Sequence, residues 1–183
     1  MSFLPRDYQA PSSGGGYMKL MDGENKIRIL SQAVTGWEDW TADKKPVRYR
    51  DKPMDSFDPK KPAKHFWCFI VWNYSEEQIQ ILNVTQSSIR KSLMSLCQDH
   101  DWGDPYFYDL KIVRTGEGMD TEYMVNPLPH KPLQERIRVE FFGKPINLEV
   151  WLDGGDPFAK SVNVTPLAID LKKEKIEEED IPF

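Results

Sequence analysis

Residues 64–74, KHFWCFIVWNY, constrain the fold most, because aromatic and β-branched side chains fill the segment almost without interruption. Such residues suit a pleated strand, where successive side chains point to opposite faces. Phe66, Cys68, Ile70 and Trp72 share one face, and Trp67, Phe69, Val71 and Asn73 share the other. One face must enter a core, so about half of the aromatics in this strand are structural. Neither set is polar, and alternation alone does not identify the outward face.

The surrounding chain supplies partners for that strand. In residues 25–36, Ile27 and Ile29 alternate with Lys26 and Arg28, a second strand pattern. Residues 77–84 alternate Ile79 and Ile81 with Gln78 and Gln80, and the short Ser75-Glu76 link predicts a hairpin with the aromatic strand. Thr85 reads as the N-cap of a helix reaching about His100, with Ile89, Leu93 and Leu96 on one apolar stripe that would close one end of a barrel. After the turn at Trp102-Gly103-Asp104-Pro105, residues 107–114 and 121–126 form two further strands around Gly116-Glu117-Gly118. Pro127, Pro129 and Pro132 then break regular structure. Residues 133–142 and 147–152 suit short helices, the first alternatively a strand. Strand, strand, strand, helix, strand, strand is the order of an OB-fold, a five-stranded Greek-key barrel. The expected class is therefore mainly β, with short C-terminal helical additions.

Outside this body the composition changes. Residues 1–16 hold Ser12-Ser13-Gly14-Gly15-Gly16, a flexible-linker composition with no Gly-Lys-Ser/Thr to make it a phosphate loop. The domain is expected over residues 17–158, interrupted by a long polar loop at 38–63, with an acidic flexible tail over 159–183. At 183 residues the length suits one domain with appendages. Cys68 and Cys97 are the only cysteines, which argues against a disulfide framework and fits a reducing compartment. The sequence has no apolar run of the ~20 residues that a membrane span needs, and no signal-peptide pattern. The expectation is a soluble, cytoplasmic protein.

The formal net charge of −5 argues against nucleic-acid binding only if charge is evenly spread. It is not. Between residues 41 and 65, Lys44, Lys45, Arg48, Arg50, Lys52, Lys60, Lys61 and Lys64 outnumber Asp43, Asp51, Asp55 and Asp58 by two to one. A single-strand binder needs cations that track phosphates and flat rings on which bases stack. Trp37 and Trp40 precede the basic loop, and Tyr49 lies between Arg48 and Arg50, the most promising stacking position. Arg28 on the first strand, Phe66, Trp72 and Tyr74 on the aromatic strand, and Tyr106, Tyr108, Lys111 and Arg114 near the fourth strand complete the candidate surface.

Catalytic patterns are absent: His130 has no nucleophile or carboxylate pattern beside it, and the acidic residues are not spaced for a two-metal site. No enzymatic activity and no cofactor are expected. His65-x-x-Cys68 and Cys97-x-x-His100 offer four zinc-type donors. However, residues 65 and 68 of a strand point to opposite faces, and Cys68 sits among bulky apolar residues. No metal site is therefore assigned.

The chain ends on Glu177-Glu178-Glu179-Asp180-Ile181-Pro182-Phe183. An aromatic ring, an α-carboxylate and flanking acids suit a hydrophobic hole ringed by Arg and Lys on another protein. Asp180, Ile181, Pro182 and Phe183, after Glu178 and Glu179, resemble the C-terminal tip of bacterial single-stranded DNA-binding proteins. The body resembles single-stranded DNA-binding proteins of tailed bacteriophages instead. The resembling segments are Asn25-Lys26-Ile27-Arg28-Ile29-Leu30, Gly36-Trp37-Glu38-Asp39-Trp40, Val71-Trp72-Asn73-Tyr74, Trp102 through Ile112, Arg114-Thr115-Gly116-Glu117-Gly118 and Asn126-Pro127. The resemblance implies an OB-fold that coats single-stranded DNA in phage replication, recombination and repair, inside the host cell and without a cofactor. Its tip would recruit host or phage replication and recombination proteins. Homo-oligomerisation stays open, because the body departs from the tetrameric cellular protein. Two other readings compete: an adaptor that uses the tip to bind host replication factors without coating DNA, and a strand-annealing recombination protein.

Overall fold

The computed structural model describes residues 15–159. The acidic tail beyond residue 159, its tip and the first fourteen residues lie outside the described residues.

The fold is mainly antiparallel β, built on a seven-stranded open sheet with few helices. At its centre lies β4 (Lys64–Asn73). One edge of β4 takes both β1 (Gly23–Ile29) and β2 (Val34–Trp40), and the other takes β5 (Gln78–Val84). Residues 25–36 are therefore two strands rather than one. Between them the Leu30 N–H still donates to the Ile70 carbonyl, but the Ile70 N–H donates to the Ser31 hydroxyl at 2.9 Å. A side-chain oxygen satisfies a backbone donor there, and the chain bends without leaving that buried group unpaired.

The two apolar faces of β4 have a simple explanation: both are interior. On one side Phe69 and Val71 join Ile27, Ile29, Leu82, Leu110 and Ile112, closed over by Ile89 and Leu93 of α1 (Ser87–Gln98). On the other, Phe66, Cys68, Ile70 and Trp72 pack under Ile137 and Phe141 of α2 (Glu135–Gly143) and Trp151 and Leu152 of α3 (Glu149–Leu152). The apolar stripe of α1 works as the sequence implies, but its N-cap is Gln86 rather than Thr85, with no side-chain cap bond.

A closed five-stranded barrel does not form among the described residues. β1 also pairs β6 (Tyr108–Thr115), and β6 pairs β7 (Glu122–His130), but no ladder joins β7 to β5. The far edge of β5 is already engaged. The Met18 N–H donates to the Ile81 carbonyl and the Ile81 N–H to the Gly16 carbonyl, both at 2.8 Å, through a parallel bridge at Tyr17. Gly16 is tied in further by Phe158, whose ring leaves no room for a Cβ there. Residues 15 and 16, assigned by composition to a linker, are thus bonded to the sheet. α1 contacts β7 instead.

Two further expectations change. β7 continues through Pro127 and Pro129, which were expected to end it. It pairs only β6, and an edge strand tolerates residues that cannot donate to a ladder. Its register slips between Tyr108 and Leu110, a bulge that lodges the extra residue. The polar stretch 38–63 is also partly a sheet. β3 (Pro46–Tyr49) folds back on β2, and Lys44 sits at the turn with φ 59°. Asp39 is buried and accepts the N–H groups of Trp40 and Phe57, both at 2.8 Å. That carboxylate pins the far limb of the loop to the hairpin. No described helix is long and apolar enough to cross a membrane.

Candidate nucleic-acid interface

Strands β2 and β3 and the start of β4 form an arm whose register aligns flat side chains. Trp37 stands opposite Tyr49 on one side and opposite His65 on the other, so three rings make a single row across three strands. The Trp37 and His65 ring centroids are 5.1 Å apart. Trp67 follows His65 two residues along the same face of β4. All four are half-buried. Sheet pairing, which residue-by-residue reading does not reveal, is what makes a platform of them.

Cations frame the row. The Lys52 Nζ is 5.4 Å from the Trp37 ring centroid. Arg90, reaching from α1, lies 2.6 Å from the His65 Nδ1. Guanidinium can only donate, so Nδ1 accepts and the imidazole proton sits on Nε2. Burial, reinforced by the Arg90 charge, lowers the His65 pKa below its ordinary value. Around neutral pH the ring is therefore an uncharged plane, while Arg90 supplies the charge.

At the tip of the arm a cleft of about 1030 Å³ opens between the β2–β3 hairpin and residues 57–64. Trp40 and Phe57 line it at 51% and 57% exposure, high values for rings of this size. Lys44, Lys60, Lys61 and Lys64 surround them. Of the three carboxylates there, Glu38 is paired to Arg48 at 3.1 Å, Asp39 accepts the two backbone N–H groups and Asp58 accepts the Lys60 N–H at 2.9 Å, so four lysines and Arg48 outnumber them. The lysines therefore set the sign of the cleft. Lys45 is exposed at the same hairpin turn.

Several expected contacts are assigned elsewhere by the fold. Phe66, Trp72 and Tyr108 are core side chains, so none presents a ring to a base. The covered Tyr108 hydroxyl, its pKa pushed up to about 12 chiefly by burial, donates to the Gly103 carbonyl. Arg28 is buried as well. Its Nε donates to Asp109 at 2.7 Å, and its two other nitrogens donate to the carbonyls of Tyr106 and Lys131. It joins β1 to the β6–β7 bulge, and its burial withholds it from a phosphate. Arg48 stacks 3.5 Å over the Trp151 ring while holding Glu38, and Arg50 pairs with Glu149 at 3.0 Å. Both arginines tie the arm to α3. Arg114 donates to the Leu20 carbonyl, Tyr106 is half-buried beside Trp67 and α1, and Tyr74 and Lys111 lie on a different face.

The candidate surface also takes in His65, Trp67, Arg90 and Phe57, which the sequence reading does not single out for it. Parity grouped His65 with Trp67, a usable signal; Phe57 had none, since only the fold of the loop exposes it beside Trp40. The zinc-type donors do not converge. Cys68 lies in the core with its thiol pushed up to about 12 by burial, while His65 faces the other way toward Arg90. Among the described residues no group of three or more His, Cys, Asp and Glu side chains is placed to hold a metal ion.

Over 80 residues, 44% of its length, the chain is 26% identical to a probable ssDNA-binding protein of Escherichia phage T5. The match spans 30% of that phage protein. No family model matches the chain, and no solved structure matches it.

Proposed function

We propose that this protein binds single-stranded DNA without sequence preference, through the arm of β2, β3 and β4, and that it acts by binding rather than catalysis. The observation that carries the reading is the cross-strand row Tyr49–Trp37–His65 framed by Lys52 and Arg90 and continued by a lysine-lined cleft with two exposed rings. Rings that accept any base, beside cations that accept any phosphate, favour sequence-tolerant binding. The likeness to the phage T5 protein supports the same direction.

Within this reading the sheet is an opened Greek-key barrel of the OB type. The strand order supports it: β1 is shared by two neighbours, β4 and β6, and a helix lies between β5 and β6. Roles in phage DNA replication, recombination and repair, and recruitment of proteins by Glu178, Glu179, Asp180, Ile181, Pro182 and Phe183, extend the reading from the sequence.

Titration with oligo-dT while following tryptophan fluorescence tests the proposal. Saturable quenching is expected, with Trp37 and Trp40 as reporters; no quenching, or equal quenching by duplex, rejects it. Converting Lys44, Lys60, Lys61 and Lys64 to Gln should flatten the salt dependence by a slope of about 2.8, at ~0.7 per phosphate contact on a single strand. An adaptor that acts only through its tip would show no change.

A further inference from the structure

On the face of the sheet away from the arm's ring row, Asp109 is fully buried and surrounded by more positive charge than it can balance. Its Oδ1 accepts from the Arg28 Nε at 2.7 Å and the Tyr74 hydroxyl at 2.9 Å. Its Oδ2 lies 2.7 Å from the Lys131 Nζ and 3.4 Å from the Lys26 Nζ. Burial opposes the carboxylate charge, but hydrogen bonds from Lys131 and Arg28 outweigh it and hold the Asp109 pKa below its ordinary value. Arg28 alone would neutralise Asp109. The two lysines are additional, and their side chains are 36% and 40% exposed.

A fourth cation adds to the surplus. Lys111 stands directly opposite Lys26 in the β1–β6 ladder, on the same face. Like charges placed opposite each other destabilise a sheet. Glu24, paired to Lys111 at 3.1 Å, is exposed and offsets one charge only. Four cations and two carboxylates therefore share this face, and Lys26 and Lys131 flank the Tyr74 ring at 4.4 and 5.6 Å from its centroid. Structural pairing explains Arg28. It does not explain why two lysines flank an aromatic ring while a third stands across the ladder from one of them.

We propose that the face formed by Lys26, Lys111, Lys131 and Tyr74 is a second phosphodiester-binding surface, engaged by the same single strand that the arm holds. The inference rests on the single-strand reading above and extends it to a second face. Cations beside a ring are the combination that single strands use, and an incoming phosphate relieves the Lys26–Lys111 repulsion. The two surfaces lie near opposite ends of β4 and on opposite faces: nine residues separate His65 from Tyr74, about 30 Å at ~3.3 Å per residue. A stacked strand with a phosphate every ~3.4 Å needs about nine nucleotides for that distance alone, and more to pass an edge of the sheet. Short oligonucleotides should therefore engage the arm without reaching the second surface.

The test compares oligo-dT of about eight and about thirty nucleotides, lengths chosen on either side of that span. It uses the full-length chain and the variants K111Q and K26Q/K111Q, both of which keep Lys131 and Arg28 on Asp109. The expected result is unchanged eight-mer affinity, several-fold weaker thirty-mer affinity, and a thirty-mer salt slope smaller by ~0.7 for the single variant and ~1.4 for the double. Thermal unfolding monitors the fold; if the double variant melts early, K111Q decides alone, since its partner Glu24 lies at the surface. Unchanged thirty-mer affinity and slope in folded K111Q overturn the second surface and leave the arm intact. Equal losses for both lengths overturn it too, because they place Lys111 in the primary site. If the unmodified chain binds neither length, the single-strand reading itself fails. Competition by inorganic phosphate at millimolar levels against both lengths equally would point to a small-anion site instead, and overturn the proposal.

Discussion

The two ends of β4 both carry aromatic side chains and have different roles. From Cys68 to Trp72 both faces are sealed, one by α1 and the strands around it, the other by α2 and α3. At the start of the strand only Phe66 is covered, and His65 and Trp67 stay half-open beside Trp37. Aromatic content does not distinguish binding surface from core; what packs on each face does. The comparison also separates two uses of charge. Arg28 lies within the fold and holds a buried carboxylate, whereas no ion pair among the described residues engages Lys44, Lys60, Lys61 or Lys64 of the hairpin cleft.

The strongest way to break this contrast is to remove side chains from the sealed half. Phe66→Ala should destabilise the protein by about 3–5 kcal/mol through cavity formation under Trp151. Asp109→Ala should cost a similar ~3–5 kcal/mol, because it leaves Arg28 charged, buried and unpaired. Denaturant unfolding measures both. If either variant unfolds like the parent chain yet loses oligo-dT binding, the division between core and platform is wrong. In acid, Asp109 has a defined sign. Its depressed folded pKa means its contribution is present above the unfolded value of ~3.9 and is lost as pH falls through the folded one.

Smaller effects, of the opposite kind, are expected on the open half. Trp37→Ala and Tyr49→Ala should each weaken oligo-dT binding by about 1–3 kcal/mol, the range for one base stacked on one ring. Trp40→Ala, with its ring half-exposed, should cost binding in the same range with little change in unfolding midpoint. A Trp40 variant that destabilises the fold as much as Phe66→Ala would erase the distinction.

This contrast also shows where the sequence is legible. Strand alternation at Ile27/Ile29 and Ile79/Ile81, the α1 stripe and the glycine bend at 116–118 depend on local chemistry, and each forms close to its expected place. The two faces of β4 could not be told apart from its residues because the deciding elements, α2 and α3, lie more than sixty positions away. The barrel fails to close through equally remote contacts, residues 16–18 with Ile81. Of the candidate site, charge density in 38–64 and the rings at 37, 40 and 49 were readable. That Trp37 has His65 as its neighbour required the register of β2 on β4. Arg28 looked like a phosphate ligand only because its partner, Asp109, is eighty-one residues distant.

The subtlest expected effect concerns His65, whose environment belongs to both halves. Burial first, and the Arg90 charge second, depress its folded pKa below the ordinary ~6.5. The unfolded chain therefore takes up a proton that the folded chain resists. Stability should be unaffected well above pH 6.5 and should fall as pH drops from there to the folded pKa, below which no further loss comes from this residue. Protonation also replaces the Nδ1 acceptor with a donor facing the Arg90 guanidinium, so the ring and the α1 side chain must separate. His65→Phe keeps a flat ring in the row and removes the titration. Unfolding of that variant should lose the stability decline below about pH 6.5 that the parent shows, while oligo-dT quenching at pH 7.5 persists. An identical pH profile in the two proteins would mean that His65 and Arg90 are not coupled as their 2.6 Å separation requires.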